Sequence, residues 1–64
     1  MKLKEYVKLS LAQRSLVDRI SAAENRGETY MIESGTIECR SMWALSDKCL
    51  VDIERVGNFY KVEL

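Results

Sequence analysis

The apolar positions of this 64-residue chain change their spacing several times, and each change marks an element. From Lys2 to Leu9, the apolar Leu3, Val7 and Leu9 alternate with Lys2, Lys4, Tyr6 and Lys8, Glu5 being the exception. That period of two predicts a half-buried strand whose lysines face solvent and discourage edge-to-edge pairing. The period then lengthens. Ala12, Leu16, Ile20 and Ala23, joined by Val17, form one helical stripe, with Arg14, Asp18, Arg19 and Glu24 on the outer side. Ser10 and Gln13 have the spacing of a reciprocal capping box. Asn25 and Gly27 tolerate the left-handed conformation in which helices commonly end, so a helix is predicted over 11–25.

A hairpin is predicted next, from Glu28 to Glu33, through a Ser34-Gly35 turn, and on over Thr36 to Arg40, with Tyr30, Ile32, Ile37 and Cys39 inward. Ser41 precedes the apolar cluster Met42, Trp43, Ala44 and Leu45 and reads as the N-cap of a short helix ending near Lys48. Cys49 to Val56 is then a strand in which Cys49, Val51 and Ile53 alternate with Leu50, Asp52 and Glu54. Gly57-Asn58 is a strong two-residue turn signal. Folding there sets Val56 opposite Phe59, Glu54 opposite Lys61, Ile53 opposite Val62 and Val51 opposite Leu64. Only Asp52 opposite Glu63 puts like charges together, so a final strand over Phe59–Leu64 is expected. Six residues would be too few for a stable helix.

Length makes this a single domain over residues 1–64. A domain this small buries only about 60% of the surface its unfolded chain exposes, which makes a homodimer an open expectation. Ten Lys plus Arg balance ten Asp plus Glu, so the chain lacks the field of a nucleic-acid or membrane-surface binder. No apolar run approaches the roughly 20 residues that cross a bilayer, and MKLKEYVKL has no apolar core of a signal peptide. A reduced, cytoplasmic protein is expected.

The chain has no histidine, which excludes histidyl phosphotransfer, Ser-His and Cys-His pairs and His-ligated metal. Cys39 and Cys49 lack the spacing of a zinc site and read as small buried hydrophobes. The carboxylate pairs Asp52 with Glu54 and Glu24 with Glu28 fall in solvent, where no pKa would be tuned. The expectation is therefore no enzyme, no cofactor and no metal.

The order strand, helix, strand, strand, short helix, strand, together with Gly35 to Leu45 (G-T-I-E-C-R-S-M-W-A-L), resembles the phosphocarrier HPr family of the bacterial sugar phosphotransferase system over roughly residues 1–55. The resemblance implies an α+β fold, a two-layer open-faced sandwich of β-α-β-β-α-β order whose antiparallel sheet runs 1-4-2-3. Here a short C-terminal strand stands in place of the family's last helix. That strand and the family's sheet order compete for one slot, so the tail would pair beyond the sheet or displace the first strand; a displaced strand would give a swapped dimer. In the family, a strand runs into a regulatory serine that heads an apolar helix, and Ser41 stands at that position. Met42, Trp43 and Leu45 match the adjoining partner-docking patch. The family's G-L-H-A-R-P loop corresponds to Ser10 through Ser15, where Leu11 and Arg14 match and Ala12 replaces the active histidine.

Two functions follow as expectations. The first is a non-catalytic HPr-like regulatory module with Arg14 and Arg40 beside its patch. A phosphoryl group on Ser41 would add about −1.5 to −2 charge at a helix N-terminus, where the helix dipole favours it and Arg40 could pair with it. The alternative is a small interaction or inhibitor protein of phage or mobile-element type that docks on a larger protein through an apolar patch or a sheet edge, with Trp43 as anchor. Against that anchor stands the commoner place of a lone tryptophan, the core; a domain of this size can hardly spare it, and Trp43 is expected there. A kinase, a transcriptional regulator or a phage target would be the protein partner.

Overall fold

The computed structural model describes residues 2–64. Three helices and three strands follow in the order α1 (Leu3–Tyr6), α2 (Leu11–Asn25), β1 (Tyr30–Glu33), α3 (Glu38–Asp47), β2 (Asp52–Val56) and β3 (Phe59–Glu63). This is a small α+β domain, as expected, but the element order α-α-β-α-β-β replaces β-α-β-β-α-β.

Helix α2 spans the expected residues, and its start is the capping box: the Gln13 N–H donates to Ser10 Oγ, and the Ser10 N–H donates to Gln13 Oε1. Its stripe buries Leu16, Val17, Ile20 and Ala23, while Ala12 lies exposed in the first turn. At its C-terminus the Glu28 N–H reaches Ala23 O and the Gly27 N–H reaches Glu24 O, a Schellman closure with Gly27 at φ 74°.

The predicted first strand is instead a helical turn. Tyr6 N–H bonds Lys2 O and Val7 N–H bonds Leu3 O, so the segment satisfies its backbone locally and needs no neighbouring strand. Lys, Leu and Glu are good helix formers, and the alternation that suggested a strand buries only Leu9 of its three apolar residues.

The second arm of the predicted Glu28–Arg40 hairpin is also helical. Ser34 N–H still pairs with Asn58 O, Gly35 turns the chain at φ 84°, and Thr36 Oγ1 then donates to Glu33 O. Cys39 N–H to Thr36 O and Arg40 N–H to Ile37 O open α3 three residues before the expected cap. Ser41 is therefore the fourth residue of α3, whose N-cap is Ile37, a residue with no capping side chain. Helix α3 also ends in a Schellman closure, Leu50 N–H to Leu45 O and Cys49 N–H to Ser46 O, but here a cysteine holds the left-handed position at φ 59°.

The C-terminal hairpin has the expected register, Val56 with Phe59, Glu54 with Lys61 and Ile53 with Val62, and it does pair Asp52 with Glu63. Gly57 at φ 61° opens its two-residue turn. The strand begins at Asp52 rather than Cys49, because the closure of α3 uses Cys49 and Leu50. Strand β3 then inserts between β1 and β2, giving a wholly antiparallel sheet of order β1-β3-β2. The tail thus takes the central slot.

Alternation along this register sends Tyr30, Ile32, Tyr60, Val62 and Ile53 toward the helices, where Ile32 and Val62 join Leu9, Leu16, Val17, Ile20, Met42, Leu45 and Val51 in one core. The other sheet face, with Met31, Glu33, Asp52, Glu54, Val56, Phe59, Lys61 and Glu63, has no second layer. Glu38 ties the layers together: it accepts from Tyr30 Oη at 2.7 Å and pairs with Arg19 at 3.4 Å.

Candidate functional site

Among the open depressions on the surface, two contain an arginine above a tyrosine. The first is built by α3 and the β2–β3 hairpin. Helix α3 turns Met42 and Leu45 inward, both at 0% exposure, and a residue between them on such a helix must point aside; Trp43 does so and is 46% exposed. Its indole meets the Tyr60 ring edge to face, with centroids 5.4 Å apart and planes at 76°. Arg55, opposite Tyr60 in the ladder, places its guanidinium 5.7 Å from that ring's centroid and donates Nε–H to Gly57 O at 3.1 Å. The resulting groove, about 490 Å³, runs along β2 past Ile53 and Asp52. On the opposite, bare face of the sheet, Val56 at 48% and Phe59 at 42% exposure flank the turn and lie outside this groove. Tyr60 Oη makes no hydrogen bond among the described residues.

The second depression, about 550 Å³, lies between α1 and α2. Arg14 stands 5.7 Å from the Tyr6 ring centroid and donates Nη2–H to Val7 O. Tyr6 Oη donates to both carboxylate oxygens of Asp18, at 2.9 and 3.1 Å. That hydrogen bond, with smaller contributions from desolvation and the Asp18 charge and an opposing one from Arg14, raises the Tyr6 phenol above its ordinary 10.0. Burial first, and then the hydrogen bond to Glu38, raises Tyr30 likewise.

The residues expected to form one partner-binding patch are thus divided. Met42 and Leu45 are core, three residues apart on the face that α3 turns into the cluster with Leu16, Ile20 and Val62. Trp43, expected in the core, is instead half-exposed, because Met42 and Leu45 take the inward face of α3. Arg40 is exposed, and Ser41, half-buried, sits within the helix rather than at its head. Arg14 belongs to the separate α1–α2 depression, and Ala12, at the expected histidine position, is exposed on the first turn of α2. Tyr60 and Arg55 escaped sequence reasoning, although the Gly57-Asn58 turn had already implied that they pair.

Cys39 is half-buried with Sγ 3.5 Å from Glu33 O, whereas Cys49 is exposed; both are free thiols. Among the described residues, no three of His, Cys, Asp and Glu gather as a metal ion would require. Among the described residues, no helix is long and apolar enough to cross a membrane. Comparison with known protein families, with curated proteins and with solved structures gives no match.

Proposed function

We propose that this chain is a non-catalytic protein-binding module that docks a protein partner on the surface formed by Trp43, Tyr60 and Arg55. The observation that carries the reading is the half-exposed tryptophan. The core closes without it, around Leu16, Ile20, Met42, Leu45 and Val62. The chain's one tryptophan is thereby left on an open groove beside a second aromatic ring and an arginine. Trp, Tyr and Arg are the residue types that most often dominate binding energy when a partner desolvates them. Burying the rest of a large apolar side chain is worth about 1–2 kcal/mol, so Trp43 beside Tyr60 can anchor an interface.

This is the apolar-patch form of the two expected functions. Regulation through Ser41 has less to support it, since that side chain is half-buried inside α3 and does not cap it. A kinase assay with incorporation mapped to Ser41 would revive that form.

The test of docking is photo-crosslinking in the cells that make the protein. A photoreactive residue in place of Ser46, which lines the groove beside Trp43, should capture a discrete protein, and one in place of Leu11, which is 82% exposed on the other depression, should not. Equal capture at both positions, or none at Ser46, contradicts the reading.

A further inference from the structure

We infer that the partner enters as an extended strand that adds to the open edge of β2, presenting basic side chains to one face of the sheet and apolar side chains to the groove. This inference rests on the docking reading above and specifies its chemistry.

The ladder supplies the first reason. In a two-residue hairpin the residues flanking the turn, Val56 and Phe59, exchange hydrogen bonds, and bonded and non-bonded pairs then alternate. Glu54 and Asp52 thus bond inward to β3, while the N–H and C=O groups of Ile53 and Arg55 point away from it, toward the open edge. Strand β2 is an outer strand, and of its five residues all but Ile53 are exposed. The opposite outer strand, β1, is packed against both α2 and α3 and offers less room.

Side chains supply the second reason. A strand paired to β2 continues its alternation. On the groove side its side chains would lie beside Ile53 and reach Trp43 and Tyr60. On the bare face they would meet Asp52 and Glu54, with Glu63 directly across from Asp52. Four of the chain's ten acids stand on that face against one basic residue, Lys61, which is already paired with Glu63 at 3.2 Å. Charge complementarity calls for lysine or arginine at every second position of the incoming strand.

The same carboxylates argue against a second copy at this edge. Two β2 strands meeting antiparallel about Glu54 would set that residue opposite its own copy, and like charges directly opposite are destabilising.

A library of randomised peptides selected on the whole protein tests the inference. Enriched peptides should alternate basic with apolar or aromatic residues, and their binding should protect the Ile53 and Arg55 amides from hydrogen exchange. Glu54→Lys should weaken them about tenfold. Arg55→Pro should abolish binding yet keep the fold, because its N–H points away from β3 and proline is tolerated at such an edge position. Arg55→Ala, which retains the N–H, should bind measurably, and circular dichroism checks that all variants are folded. If binding is lost in Trp43→Ala but is unchanged in Arg55→Pro and Glu54→Lys, the strand inference falls and the docking reading stands. If nothing is enriched, or binding ignores Trp43, both fall. A dimer in sedimentation with Ile53 and Arg55 protected in the absence of peptide would assign the edge to a second copy and overturn the inference.

Discussion

Tyr6 with Arg14 and Tyr60 with Arg55 are nearly the same object at two places, an arginine 5.7 Å from a tyrosine ring centroid beside an open depression. They differ in where their polar ends go. At Tyr6 the hydroxyl is held by Asp18 and Arg14 is held by Val7 O, so the pair clasps the short helix α1 onto α2. At Tyr60 the hydroxyl is unengaged among the described residues, and Arg55 bonds back only to its own hairpin at Gly57. There the ring is met by a half-exposed indole rather than by a carboxylate. Those internal bonds make the first pair structural, although Arg14 Nε is buried beside them without a partner among the described residues; the aromatic surface left over makes the second available to a partner.

Several changes would sharpen or break that contrast. The largest effect is expected on α3 itself. Leu45→Ala should cost about 2–5 kcal/mol in chemical denaturation, the usual range for a fully buried leucine. Trp43→Ala, one helical face away, should cost less than about 2 kcal/mol, because much of the indole is already in water. A Trp43→Ala loss as large as that of Leu45→Ala would make the tryptophan core and remove the docking surface.

The turn that carries the chain from α3 into β2 comes next. Gly27 and Cys49 occupy the same left-handed position of two Schellman closures. A side chain there costs about 1 kcal/mol, so Cys49→Gly should raise stability by that amount, and Gly27→Ala, with open space around it but the same φ, should lower it similarly. Neither should disturb the Trp43 emission.

How much of this was legible in the sequence follows from the range of the forces involved. Helix α2 and the β2–β3 register were readable because their determinants are local: Ser10 with Gln13, one apolar stripe, and Gly57-Asn58. The first segment and Thr36–Arg40 were misread because period two is also produced by short charged helices and loops, and nothing local says whether a strand has a neighbour. Only the insertion of β3 between β1 and β2 decides that, and it is a contact between residues far apart in the chain. The site was half legible. Trp43 was singled out, but it was grouped with Met42 and Leu45, from which the helical spacing itself separates it.

A smaller effect is expected from Tyr6→Phe, which removes the hydrogen bond to Asp18. Amide exchange in α1 should accelerate while the Trp43–Tyr60 contact is unchanged. Tyr60→Phe should leave α1 exchange and overall stability as they are.

The smallest effect is with pH. The Tyr6 and Tyr30 phenols hold their protons above 10.0 in the folded chain. Their contribution is fully present below the unfolded value and is lost as pH rises through the raised ones. Stability should therefore fall in alkali above pH 10.0, and Tyr30→Phe should blunt that fall. An alkaline loss unaffected by Tyr30→Phe would remove Tyr30 from the account.

The most direct test is a nuclear magnetic resonance titration of the whole protein with a peptide enriched on it. Shifts confined to the Trp43 indole, the Tyr60 ring and the Ile53 and Arg55 amides, with Tyr6, Arg14 and Asp18 silent, are the predicted result. Shifts centred on Tyr6 and Arg14, with Trp43 and Tyr60 unmoved, would contradict it.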